Sequence, residues 1–369
     1  MFAPSTPRLT AETAPDVPFA DKVRFLSQPE CLALPASTVE ARETHMSWLF
    51  LTERHVYKLK KPVRSACLDF STTDRRAAAC RTELALNRRL APDVYLDVMP
   101  LRRTPDGLSF GAVGTIVDWL VLMRRLDERH TLETHAREQH LTRADAERLA
   151  ARLATFYRRV RRLPVAPAVH LARWRRALLE NEQLLRDPRF HLPEGTIARI
   201  CRAQRAFLAR RPGILVRRAR RVVEAHGDLR PEHIWLTDPV IVIDCLEFSE
   251  PLRALDPLDE IAFLHLECER LGVGWAGEAL RHRLARLLGD RRGNGLFLFY
   301  RSYRALLRAR LAITHLLDAE PRTPEKWPPL ARTYIDLALA DAGRLERILN
   351  RRTDRRVPGR CAAARSPRR

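Results

Sequence analysis

The feature that most constrains this chain is a one-way change of hydrophobic period. Between residues 44 and 123 the apolar positions fall in short β-prone runs, 44–51, 55–61, 94–101 and 115–123. Thr52-Glu53-Arg54 and Thr104-Pro105-Asp106-Gly107 supply turns between them. From about residue 142 the period lengthens to that of a helix, over 143–162, 169–186, 195–210, 257–271, 276–289, 295–318 and 328–350. Only 221–244 interrupts the helices with strand character. Strands early and helices late predict an α+β chain of two unequal lobes, a small β-rich N-lobe at 22–125 and a large helical C-lobe at 126–350. The ends, 1–21 and 351–369, are rich in Pro, Ala and Ser and are expected as disordered tails.

Charge narrows the function classes less than its size suggests. The net charge of +21 invites a nucleic-acid partner, yet 351–369 alone holds eight Arg against one Asp. The rest is scattered along helices, where Arg forms solvated faces, and no nucleic-acid-binding motif appears. Nucleic acid acting through the Arg-rich tail stays a rival and not the leading expectation. The longest apolar stretch, 111–123, carries Asp118 in its middle and is too short to cross a bilayer. The N-terminal Met1-Phe2-Ala3-Pro4-Ser5-Thr6-Pro7 has neither a basic start nor an apolar core, so no secretory signal is expected and the location is read as cytoplasmic. Seven cysteines without a C-x-x-C pair read as core residues in a reducing compartment, not as a disulfide or thiolate framework.

The balance between the two basic residues is more informative. Of 66 Lys plus Arg only five are Lys, and three of those are Lys58, Lys60 and Lys61. A solvated face accepts Arg equally well; a site that needs a compact ammonium on a slim stem does not. Lys58 and Lys60 point to one face of their strand. Downstream, Ser71-Thr72-Thr73-Asp74 caps a helix running to about Leu90, and Ala79, Glu83, Leu86 and Leu90 share one stripe of it. A carboxylate in an apolar stripe needs a partner, and a strand lysine about 23 residues earlier is the natural one.

The interruption at 221–244 carries the chemistry. Its punctuation predicts a loop at 226–232, a strand at 233–236, a Thr-Asp-Pro turn and a strand at 240–243 ending on Asp244. That hairpin returns Asp244 towards the loop holding Asp228. Two acids converging on one place, with a lysine from another lobe, suit metal-assisted phosphoryl transfer: one takes a proton, the other holds an ion.

On these residues the chain resembles the aminoglycoside phosphotransferase-like branch of the protein-kinase fold. The resemblance rests on His226-Gly227-Asp228-Leu229, on Ile243-Asp244 with Glu247, and on Asp256-Pro257-Leu258-Asp259-Glu260. Tyr57-Lys58-Leu59-Lys60-Lys61-Pro62 and the run His226-Gly227-Asp228-Leu229-Arg230-Pro231-Glu232-His233 are similar to a bacterial subgroup of that branch, some of whose members carry a P-loop kinase domain as well. No G-x-x-x-x-G-K-[ST] occurs in these 369 residues, so no P-loop domain is expected here.

The resemblance implies a bilobal protein-kinase-like fold that uses ATP and Mg2+ in the cleft between lobes and phosphorylates a small-molecule hydroxyl. It makes Asp228 the base, with His226 supporting its loop, and Asp244 the metal ligand with Glu247 nearby. Lys60 or Lys58 would hold the phosphates, braced by Glu83, with Lys60 favoured by the strand ending. Val121-Leu122-Met123 would be the adenine hinge, and Asp259 would stabilise the catalytic loop. A neutral or acidic acceptor suits the basic chain better than a polycation.

Two departures stand against this. The family's second metal ligand, an Asn five residues after the base, is His233 here, and imidazole suits transition ions better than magnesium. No Gly-rich loop precedes the lysine strand either, which leaves hydroxyls and amides of Thr44 and Ser47 as the phosphate contacts. These departures motivate the other rival, a nucleotide-binding pseudokinase. Gly272-Val273-Gly274-Trp275-Ala276-Gly277 satisfies G-x-G-x-x-G but follows a helix, and reads as a helix stop and restart.

Overall fold

The computed structural model describes residues 17–65, 68–290, 293–318 and 321–350. Nearly all of the expected N-terminal tail and the whole Arg-rich 351–369 lie outside these. The chain forms two compact units that divide after Leu126.

The first unit is built on one antiparallel sheet. Its six strands lie in the spatial order Glu40–Glu43, Ser47–Leu51, His55–Lys60, Thr115–Arg124, Tyr95–Thr104, Gly107–Ser109. The strand His55–Lys60 shows how the pleat sorts side chains. Tyr57 and Leu59 enter a core with Phe50, Leu101, Leu120 and Leu26, so Lys58 and Lys60 must leave from the opposite face. The helix Thr73–Asn87, capped by the Thr72 hydroxyl, buries Arg76, Cys80, Glu83 and Asn87 along one side. Arg76 and Lys22 both pair with the buried Asp118 carboxylate, which ties this helix and the helix Phe19–Leu26 to the strand Thr115–Arg124.

Residues 19–21, expected within the tail, are helical, because the helix Phe19–Leu26 turns Lys22 and Leu26 inward. The edge strand Glu40–Glu43 was not expected; all but one of its residues are exposed, so it shows no apolar alternation.

The second unit is largely helical. Long helices Glu194–Arg210, Asn294–Thr314 and Trp327–Asn350 share a core of Ile197, Ile200, Leu306, Ile313, Tyr334 and Ile335. The expected hairpin is present, with Ile234–Trp235 antiparallel to Ile241–Val242. The short strand Val223–Glu224 pairs with Ala254–Leu255 and delivers the chain into the loop at 226–232. Among the described residues no helix is long and apolar enough to cross a membrane. The five described cysteines are free thiols and all but Cys31 are buried, as core residues should be.

The G-x-G-x-x-G run is a packing device. Gly272 stands at φ +80° just after the helix Pro257–Arg270, and the next helix starts at Gly274. A Cβ on Gly277 would come within 2.9 Å of His265 Cα. Here glycine lets two helices approach; no strand precedes it to present a dinucleotide.

Candidate functional site

In the second unit the loop following Val223–Glu224 is held from beneath. The buried His226 ring has its Nε2 2.9 Å from the Ile243 carbonyl, which can only accept, so Nε2 carries the proton. Its Nδ1 then accepts from the Asp228 N–H at 3.3 Å. Gly227 turns at φ +93°, and a Cβ there would press on Leu246 at 3.0 Å. The loop amides land on Glu260: Gly227 N–H donates to Oε1 at 2.6 Å and His226 N–H to Oε2 at 3.3 Å, while the Tyr157 hydroxyl donates to Oε2 at 2.6 Å. Burial pushes the Glu260 carboxyl up, opposed by these donors.

This corrects the role expected of Asp259. Both Asp259 carboxylate oxygens are taken by the Arg304 guanidinium, at 2.8 and 2.7 Å. Successive residues of the helix Pro257–Arg270 diverge by about 100°. Asp259 therefore meets the helix Asn294–Thr314 while its neighbour meets the loop. Sequence reading missed Glu260 although it stands in the same motif, because nothing local tells which of two adjacent acids faces the loop.

Asp228 is partly exposed, with its Oδ2 3.7 Å from Arg230 and 3.8 Å from His233 Nδ1. A 3₁₀ turn, Pro231–His233, folds the chain so that His233 Nδ1 lies 3.0 Å from the Asp228 carbonyl oxygen. On its other side His233 Nε2 is 3.6 Å from Asp244 Oδ2. The histidine ring thus stands between the two acids that the sequence singled out. Asp244 follows the hairpin at φ +63° and its carboxylate is 44% exposed. Glu247 lies three residues on, where its carbonyl and that of Leu246 accept from Arg253. Arg308, also missed in the sequence, lies 3.4 Å from Glu267 Oε1; burial opposes its charge, and the Glu267 and Asp228 carboxylates favour it.

In the first unit both strand lysines converge on Glu83. Lys58 Nζ is 2.7 Å from Oε1 and Lys60 Nζ 2.5 Å from Oε2. The Glu83 carboxylate is wholly buried, the Lys60 side chain is 1% exposed and the Lys58 side chain 14%. The two ammonium groups share one buried carboxylate, with Lys58 on its more exposed side. Lys60 Nζ also lies over the Phe70 ring, 5.0 Å from its centre. Met123 is buried in the central strand, opposite Val56 on one side and Tyr95 on the other.

The turn between the first two strands departs from what was expected of it. Thr44 Oγ1 donates to the Ser47 carbonyl at 2.8 Å and accepts from the Ser47 N–H at 3.0 Å, and the Thr44 N–H donates to the same carbonyl at 2.8 Å. Ser47 is itself buried. A turn without glycine closes on itself through these groups, so Thr44 and the Ser47 amide clasp the hairpin instead of standing open to a phosphate.

The sequence model of the phosphotransferase enzyme family matches residues 52–298, and this chain belongs to that family. An uncharacterized protein of Mycobacterium bovis and another of Mycobacterium tuberculosis are 30% identical to it over 288 residues, 77% of this chain and 56% of each relative. The chain thus spans about half the length of the curated relatives it matches. Among solved structures, a choline/ethanolamine kinase family protein from Mesorhizobium loti superposes with a TM-score of 0.52 at 14% identity, over 90% of this chain and 97% of that one. The α+β, protein-kinase-like fold expected from the sequence is the fold of this protein.

Proposed function

We propose that this protein transfers the γ-phosphoryl group of ATP to a hydroxyl of a small molecule. The observation that carries the reading is the placement of Asp228 and Asp244 on either side of His233, in a chain of the phosphotransferase family. The Asp228 carboxylate accepts the acceptor's hydroxyl proton as its oxygen bonds to the γ-phosphorus. The bond from that phosphorus to the β,γ-bridging oxygen breaks, and ADP leaves. His226 and Glu260 hold the loop so that Asp228 need not reorganise. Lys60 or Lys58, fixed by Glu83, holds phosphate oxygens, and the segment ending at Met123 receives the adenine.

The donor set fits a divalent ion: Asp244 offers an exposed carboxylate, with an imidazole nitrogen beside it. Such an ion, magnesium in the sequence expectation, neutralises phosphate charge when bound. Glu247 stands close in sequence as a further carboxylate for it. The acceptor is neutral or acidic, given the chain's net charge of +21. The protein works in the cytoplasm in this reading.

The test is Asp228→Asn. Turnover with a panel of hydroxylated metabolites, read as ADP release, should disappear while ATP binding by calorimetry stays within about twofold. Unchanged turnover in the variant would remove Asp228 as the base. His233 motivates the second reading, a pseudokinase; tight ATP binding with no transfer to any acceptor in a metabolite pool would favour it.

A further inference from the structure

We propose that the divalent ion used by this protein is a first-row transition ion, manganese ahead of magnesium, and that His233 Nε2 binds it together with Asp244. This rests on the phosphotransferase reading above and specifies the ion which that reading requires.

The argument starts from the backbone. His233 N–H donates to the Arg230 carbonyl at 3.0 Å, and its own carbonyl accepts from Ile243 N–H at 3.0 Å. The residue is therefore pinned both to the loop and to the hairpin that ends on Asp244. The ring is oriented next: Nδ1 is 3.0 Å from the Asp228 carbonyl oxygen. A carbonyl oxygen only accepts, so Nδ1 carries a proton, and Nε2 is the nitrogen that can give a lone pair to an ion.

That nitrogen stands 3.6 Å from Asp244 Oδ2, beyond hydrogen-bond length. The two atoms are close to the separation of neighbouring ligands on one ion. Donors at about 2.1 Å from one ion stand roughly 3.0–3.4 Å apart between octahedral and tetrahedral angles. A closure of a few tenths of an ångström seats the ion, and the exposed side of Asp244 leaves other positions to water and phosphate oxygens. The bond from Nδ1 to a backbone carbonyl is also the kind of contact that orients a metal-bound imidazole and raises its basicity.

The chemistry of the pair selects the ion. Magnesium holds its water and prefers oxygen donors, whereas an imidazole nitrogen beside a carboxylate binds transition ions more strongly. Manganese combines tolerance of imidazole with the affinity for carboxylate and phosphate oxygen that a nucleotide site demands.

The experiment uses the full chain with a non-hydrolysable ATP analogue, titrated with MnCl2 or MgCl2. Calorimetry should show Mn2+ binding at least about tenfold more tightly than Mg2+. Pulsed electron paramagnetic resonance of the bound Mn2+ should show imidazole nitrogen coupling that changes isotope pattern when the chain is labelled with 15N-histidine. His233→Asn should remove that coupling and bring the two ions to within about threefold, at an unchanged thermal midpoint. If the variant does not fold, the isotope experiment on the wild-type chain decides by itself. Nucleotide binding that is intact but indifferent to the ion, or bound Mn2+ without histidine coupling, overturns the ion assignment and leaves the phosphotransferase reading standing. No binding of the analogue with either ion overturns both.

Discussion

The backbone N–H of Gly227 donates to Glu260 Oε1 at 2.6 Å, so the loop that carries Asp228 hangs from a carboxylate on the helix Pro257–Arg270. Three donors share that one buried carboxylate. In Glu260→Gln one oxygen becomes an NH2 group that confronts a donor. Leaving a buried donor unmatched costs about 1–3 kcal/mol, which urea unfolding should report. Turnover should fall with it, because the loop no longer holds Asp228 in place, and Glu260→Asp should not restore it, since the shorter side chain misses the loop.

The paired lysines make a prediction that separates their roles. Glu83→Ala removes the buried carboxylate that two ammonium groups share, one of them almost wholly buried, and should cost about 3–5 kcal/mol in unfolding free energy. Lys58→Ala leaves the Lys60–Glu83 pair intact, so the buried carboxylate keeps an ammonium partner, and it should cost less than Glu83→Ala. If Lys58 holds phosphate, its removal weakens ATP binding; if Lys60 does, Lys58→Ala leaves ATP affinity unchanged. Calorimetric titration with ATP distinguishes the two.

Gly277→Ala should destabilise the second unit by about 1–3 kcal/mol without changing nucleotide affinity, since its added Cβ meets His265 backbone and ring at 2.9 Å. A thermal scan alongside an ATP titration checks both halves of the expectation. A loss of nucleotide affinity at unchanged stability would make this glycine part of a binding loop after all.

Stability should carry a pH signature from Asp341. Burial pushes its carboxyl up to about 6, against the opposing pull of Arg301 at 3.0 Å. A carboxyl whose pKa is raised by folding binds more protons in the native state than in the unfolded one. Its contribution is therefore full below about pH 4 and is lost as pH rises through about 6. At roughly 1.4 kcal/mol per pKa unit the swing is of order 3 kcal/mol at most. Urea unfolding at pH 4.5 and 7.5 should show this slope in the wild type and a flatter one in Asp341→Asn.

Much of the fold was legible because its determinants are local. The strand and helix periods, the Thr72 cap and the hairpin before Asp244 are all written within a few consecutive residues. The misses were short or atypical: Leu132–Arg137 and Pro212–Arg218 span fewer than two turns, and Glu40–Glu43 has no buried face to betray it. At the site, the scarcity of lysine pointed to Lys58 and Lys60, and an acid within an apolar stripe pointed to Glu83, where all three side chains meet. The Thr44 hydroxyl, expected at phosphate, is engaged within the 44–47 turn, because a composition that can bind phosphate can equally close a turn upon itself.

By itself, the order of residues determined that this chain has strands before helices, that its loop at 226–232 carries an acid, and that a second acid ends the following hairpin. Those properties follow from backbone preference and periodicity, which act over one or two turns of chain. Only the tertiary structure decided that Glu260 and not Asp259 supports the loop, that one carboxylate serves two lysines, and that the His233 ring lies between Asp228 and Asp244. The reason is directional: which neighbour a side chain meets depends on how a helix is rotated against its packing partners, and that rotation is set by residues far away in the sequence.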